Sequence, residues 1–408
     1  MTPAHTSADT APVPRRLPLA EFVALIAMLF SMIALAIDAM LPALPAIAAD
    51  LAPDAPGRGQ LIVLAFVLGM GVGTFVVGPL SDAFGRRRII LGGVILYALG
   101  ALWAGLASEL EFVLAARLVQ GLGAAGPRIV SLAMLRDLYS GRQMARIASL
   151  AMLVFTLVPA VAPAIGATIM AFFHWRAIFL SFVLFALVAG SWFALRQPET
   201  LPAEMRKPLS AAALWGSLRE VLSHRTVQLA IAAQSLLFGA LFGTLANIQP
   251  LFEHTYGRGA SFPAWFALIA LLAGSASMVN AALVVRLGMR RMVLTTTAAQ
   301  AVFSSMLVML WIGGAMPAGA AFAVFILWVT GVFFMAGLTL GNLNALALEP
   351  MGHVAGMAAS VTSSVATVAS VMIAAPWGMT IDGSPVPLAL GVALLSAGAF
   401  AIARRIGA

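Results

Sequence analysis

Cysteine is absent from this 408-residue chain, which excludes disulfides and thiolate metal sites. Charge is scarce: Asp, Glu, Lys and Arg make up 9% of the residues, against about 25% in soluble domains. Lys207, the single lysine, lies mid-chain, and no G-x-x-x-x-G-K-[ST] phosphate loop occurs. The histidines at 5, 174, 224, 254 and 353 are far apart in sequence, and no H-E-x-x-H is present. These gaps leave no enzyme signature, no metal site and no cofactor motif.

What fills the chain is apolar: 62% of residues are hydrophobic. So little polar surface cannot enclose a soluble core, and the lipid bilayer is the solvent this composition suits. The net charge of +8 falls in short Arg groups between apolar runs. That is the pattern of cytoplasmic loops, not of nucleic-acid binding. Residues 1–17 read as a disordered tail. Arg15 and Arg16 before an apolar run imitate a signal peptide, but the run is too long for one and its removal would leave an odd span count.

Twelve windows of about 20 residues suit membrane-spanning helices: 19–46, 59–80, 89–108, 111–135, 147–171, 176–195, 227–250, 262–284, 292–312, 319–346, 355–377 and 386–404. They are too long and too evenly apolar for barrel strands. With the N-terminus inside, only Arg58, Arg176 and Arg258 fall in outer loops, while the many other loop arginines lie inside. This asymmetry predicts that both termini are cytoplasmic. The inner loop 197–226 contains "AAALWGSLREVL", which predicts an amphipathic surface helix. It separates a first bundle, 18–196, from a second, 227–408.

The two halves repeat one another. "LSDAFGRRRIIL" (80–91) and "LVVRLGMRRMVL" (283–294) align a Leu, a Gly and two Arg at an offset of about 203 residues, and "PAIGATI" (163–169) loosely matches "PWGMTI" (376–381). Parallel six-helix repeats are a transporter signature, with the substrate site between them at mid-depth.

The short loop "GPLSDAFGRRR" (78–88) joins two helices tightly. A generic positive-inside loop explains its Arg but not its Gly and Asp spacing. It resembles the signature loop of the major facilitator superfamily through Gly78, Leu80, Asp82, Gly85, Arg86 and Arg87, with Ala83 where the family usually has a basic residue. "RLVQGLGAAG" (117–126) is similar to the family's fourth-helix pattern. Pro159, Pro163 and Gly166 in "VPAVAPAIGATI" resemble the fifth helix of its antiporters, though a simple kink explains them equally well. "AIDAMLPALP", "RDLYSGRQMAR" (136–146), "HWRAIF" (174–179) and "NALALEPMGHVAGMAASV" (344–361) are similar to the twelve-span drug:proton antiporters, the group of bicyclomycin and chloramphenicol exporters. The resemblance implies an all-α integral membrane fold of two pseudo-symmetric six-helix bundles in a bacterial inner membrane. It also implies that Asp82 meets the start of the eleventh span, near His353–Met357.

Asp38 is the one acid placed well inside a span. A carboxylate at the centre of a membrane helix costs roughly 2.5–3.5 kcal/mol, and such residues usually mark a function. Arg117 matches its depth on the fourth span, while Arg128, on the same helix face, lies about 16 Å deeper. A carboxyl group that alternates between dry and wet, or paired and unpaired, surroundings takes up and releases a proton. Asp38 is therefore the expected proton carrier and Arg117 its tuning partner; the plainer reading is a structural ion pair. Candidate substrate-cavity residues are Gln120, Gln234, Phe238, Phe242, Asn247, Phe334, Asn342 and Asn344, though such aromatics usually pack and such Asn often bond between helices. The expected function is export of a lipophilic drug-like molecule against protons, with the proton gradient as energy source and a monomer sufficient. A proton-coupled symporter importing a nutrient or metabolite is the alternative.

Overall fold

The computed structural model of the chain describes residues 17–317, 319–378 and 384–407. Most of the expected N-terminal tail, and the end of the "PWGMTI" repeat match, lie outside them. Long helices dominate, and no strand occurs among the described residues, as backbone saturation in lipid requires.

The first span is broken into α1 (Leu19–Asp38) and α2 (Leu44–Leu51), joined by a 3-10 turn over Leu41–Ala43. It was expected as one helix over 19–46. Pro42 and Pro45 explain the break, since neither supplies an N–H to an ongoing helix. The rest of the first half is α3 (Leu61–Phe84), α4 (Arg86–Leu106), α5 (Leu110–Leu138), α6 (Gly141–Phe172) and α7 (Arg176–Arg196).

In the central loop, α8 (Ala211–Ser223) forms where an amphipathic helix was expected. Leu218, Val221 and Leu222 pack on Val227, Ile231 and Met351, while Trp215 stays exposed. The second half contains α9 (Arg225–Pro250), α10 (Phe262–Gly274), α11 (Ala276–Leu287), α12 (Met289–Ile312), α13 (Ala321–Leu348), α14 (Ala355–Gly378) and α15 (Val386–Ala403). The eighth span, expected unbroken over 262–284, is interrupted at Ser275. Among the described residues, eleven helical stretches are long and apolar enough to cross a membrane. The stretch Ala321–Trp377 holds both α13 and α14, parted at Met351, so the spans number about twelve.

The repeat is visible in the backbone. Gly85 (φ 96°, ψ 153°) and Gly288 (φ 82°, ψ 150°) sit in the same positive-φ conformation at the starts of α4 and α12. An L side chain rarely adopts that conformation, so glycine at this point of each half has a physical cause.

Each half packs around small residues. Cβ atoms on Gly121 and Gly123 of α5 would overlap the backbones of Phe66 on α3 and Tyr97 on α4. The fourth-helix glycines are therefore sites of close helix approach. The halves meet along α3 and α14, where Gly71 touches Thr367 and Val368, and along α6 and α10, where Gly274 abuts Thr156. At the outer end, Gln60 donates to the Ala375 carbonyl (3.2 Å) and accepts from Asn247 Nδ2 (2.9 Å). Gln60 thus ties the start of α3 to both α9 and α14, and the outer side is closed. α6 packs on α10, the outer part of the eighth span, rather than on α11, the inner part, whose Met278 and Val285 are among the most exposed apolar side chains.

Candidate functional site

Asp38 is the last residue of α1, at the break, and is 5% exposed. It makes no hydrogen bond and no ion pair among the described residues. The expected pairing with Arg117 does not form. Arg117 is fully buried on α5 and donates from Nη2 to the Ala36 carbonyl (2.9 Å), from Nε to the Ile62 carbonyl (3.1 Å) and from Nη1 to Gln120 Oε1 (2.7 Å). Its guanidinium also lies 4.5 Å from the centre of the Phe66 ring.

The physical reason lies in the break. A helix end leaves its last carbonyls without intrahelical donors and carries partial negative charge. Ala36 would bond residue 40 if α1 continued; instead its oxygen meets Arg117. The cation therefore caps the C-terminus of α1, two residues before Asp38, and leaves the carboxylate free. Tyr97 adds a second tie by donating to the Met32 carbonyl at 3.1 Å.

The fifth span closes over this break. Pro163 and Gly166 are buried while α6 runs on through both Pro159 and Pro163. A Cβ on Gly166 would overlap the Ala39 carbonyl oxygen. Gly166 thus permits direct contact between α6 and the turn that follows Asp38. Contact between α6 and the second half is made at Thr156, against Gly274 of α10.

The signature loop makes other bonds than expected. Arg86 pairs with Asp82 (2.5 Å) and Asp137 (3.0 Å), and also donates to Ser81 Oγ (2.6 Å). Asp82 does not meet the start of the eleventh span. There His353 instead bonds Glu220 of α8 (2.6 Å), and Gly78 faces Ser360. Arg87 donates to the Ala194 carbonyl at 2.6 Å. Glu199, which the sequence did not single out, accepts from the backbone N–H groups of Arg86 (2.9 Å) and Arg87 (3.1 Å). It caps the free N-terminus of α4 from the far end of the first bundle. Its only sequence signal is an acid just beyond the sixth span.

The candidate cavity residues divide. Gln120 serves Arg117, and its Nε2 is buried without a partner. Gln234 is buried with Nε2 equally unpartnered, and Phe238 and Phe242 stack on the same helix, ring centres 5.6 Å apart. Asn247 belongs to the outer closure. Asn342 donates to Asn280 Oδ1 (2.7 Å), joining α13 to α11. Phe334 packs with Ala276, Met292 and Leu338. Those three pack or bond between helices in this structure. Asn344 keeps a buried, unpartnered Oδ1.

A family model described as Major Facilitator Superfamily matches residues 24–376. A bicyclomycin resistance protein homolog of Haemophilus influenzae is 33% identical over 335 residues, 81% of each chain. An uncharacterized MFS-type transporter of Bacillus subtilis is 31% identical over 355 residues, 85% of this chain and 84% of its own. The crystal structure of a D-xylose-proton symporter aligns with a TM-score of 0.77 at 12% identity, over 95% of this chain and 97% of that one. At that identity the likeness concerns the fold alone.

Proposed function

This chain belongs to the major facilitator superfamily, a family of transporters and not of enzymes, and on that premise we propose that it exports a drug-like small molecule in exchange for protons. The observation that carries the reading is Asp38: a buried carboxylate without a partner among the described residues, at a break in a spanning helix that packs against α6. The name of the Haemophilus relative, a bicyclomycin resistance protein homolog, supports drug export over nutrient uptake. The symporter shares the fold at too low an identity to favour import.

In this reading Asp38 takes a proton from the outer side and releases it inward as the bundles rock. Arg117 holds the α1 end in place and keeps a positive potential beside the carboxyl group. Substrate and proton occupy the cavity alternately, so the inward proton gradient drives outward substrate flux. One charge crossing the membrane supplies about 2.3 kcal/mol per 100 mV, enough for roughly fiftyfold accumulation. A single deep acid implies one proton per turnover. The working unit is a monomer in the inner membrane, with both termini in the cytoplasm.

The test uses inside-out vesicles with an acidified lumen. A susceptibility panel in a pump-deficient host first identifies an exported compound. Adding that compound outside the vesicles should alkalinise the lumen. Acidification would mean that substrate and proton travel together, and the import reading would replace this one.

A further inference from the structure

One cation inside the spans has no role in the account above. Arg128 lies on α5 ten residues from its inner end at Leu138, roughly 15 Å in by helix rise. Its side chain is exposed, although its neighbours Pro127 and Val130 are buried. Its single polar contact among the described residues is the Met70 sulfur, 3.9 Å from Nη1. A thioether is a weak acceptor, so the guanidinium's hydrogen-bonding capacity stays open.

The exposure is toward the bundle interior. The side of α5 at Gly123 is taken up by α4. Arg128 lies on the opposite side, with Gly121 and Arg117, which meet α3 and α1. Met70 precedes Gly71, the residue that touches the second half at Thr367 and Val368. The guanidinium therefore sits beside the seam between the bundles. One turn inward, the Ser131 hydroxyl is fully buried and without a partner. Across the seam Gln234 lies nine residues into α9, at the same depth by helix rise, with its Nε2 donor unpartnered. Intramembrane arginines are costly and face a cavity or a partner. Here no carboxylate partner occurs among the described residues.

We infer that Arg128, with Ser131 beside it, forms the substrate-recognition point of the cavity, and that it selects molecules bearing an anionic or strongly dipolar acceptor group over permanent organic cations. The Arg128 guanidinium, the Ser131 hydroxyl and the Gln234 Nε2 all offer hydrogens at this depth. Asp38, the one deep acid, is about 16 Å further out and is reserved for the proton. A lipophilic cation entering from the cytoplasm meets Arg128 with no carboxylate to offset the repulsion. A carboxylate, nitro or carbonyl oxygen meets an unsatisfied fork of N–H donors. Recognition on α5 and proton binding on α1 then occupy different depths of the first bundle. The inference names the substrate class for the export reading and rests on it only in calling the bound molecule a cargo.

The purified full-length protein in nanodiscs is titrated with three probes: fluorescein as an anion, chloramphenicol as a neutral nitro compound, and tetraphenylphosphonium as a permanent cation. The wild type should bind the first two and not the third. Arg128→Ala should weaken binding of both by about tenfold or more, as loss of a charge-assisted hydrogen bond does, and Arg128→Glu should admit tetraphenylphosphonium. Ser131→Ala removes a hydroxyl with no partner, so the fold stays intact while binding weakens by about two- to fivefold. Equal affinity of the wild type for all three probes, failure to bind either acceptor-bearing probe, or unchanged binding in monodisperse Arg128→Ala would overturn the assignment. Binding that depends on Arg128 without proton exchange would keep this inference and remove the export reading.

Discussion

Arg117 and Asp38 sit at one break yet have opposite needs. Arg117 satisfies three acceptors from three places, the carbonyls of Ala36 and Ile62 and the Gln120 amide. Asp38 satisfies none and is satisfied by none. Buried acceptors stripped of a donor cost about 1–3 kcal/mol each, so Arg117→Ala should lower the thermal unfolding midpoint in lipid by several degrees. Asp38→Asn should leave that midpoint within a degree or two, since no bond is lost. Scanning fluorimetry of the two variants checks the contrast. A structural ion pair between the two side chains would instead make both substitutions comparably destabilising. Both residues were legible from depth alone, because charge inside an apolar run is rare. It hid their relation, because the acceptor that wins Arg117 is a backbone carbonyl freed by a helix break, and carbonyls leave no letter in a sequence.

Helix ends and crossings were legible wherever glycine or proline had one physical use. Gly85 and its repeat mate Gly288 announced the same turn in both halves. The break after Asp38 was signalled by Pro42 and Pro45 but masked by the length of the apolar run around them. The interruption at Ser275 carries no comparable mark. In α6, Gly166 was noticed, but what it meets was not, since nothing local says that Ala39 lies against it. The substitution Gly166→Ala places a methyl group on the Ala39 carbonyl oxygen. Overpacking of this kind costs typically 1–3 kcal/mol, and it acts on the turn that positions Asp38. The variant should insert and fold with a lowered unfolding midpoint, and transport should fall much more than in Ala167→Gly next to it. Equal activity in the two variants would mean that the α6 contact with the break has no part in transport. The cavity polar groups were the least legible element, because Asn247 and Asn342 look the same in sequence whether they bind cargo or tie helices together. Here they tie α9 to Gln60 and α13 to α11.

At the scale of the molecule, one half carries the deep acid and its positioning cation, and the other closes against it. The outer closure through Gln60 and the exposed inner part of the eighth span describe a carrier shut toward the outside. The positive-inside pattern and the internal repeat made this architecture readable, since bilayer thickness and backbone saturation allow few alternatives. On the proposed reading the gradient enters this architecture through a single carboxyl group. Purified wild type and Asp38→Asn are reconstituted side by side, with the exported compound on one side and a pH-sensitive dye in the lumen. The account predicts that the variant still equilibrates the compound down its own gradient while the dye records no coupled proton movement. A dye signal as large as that of the wild type would contradict it.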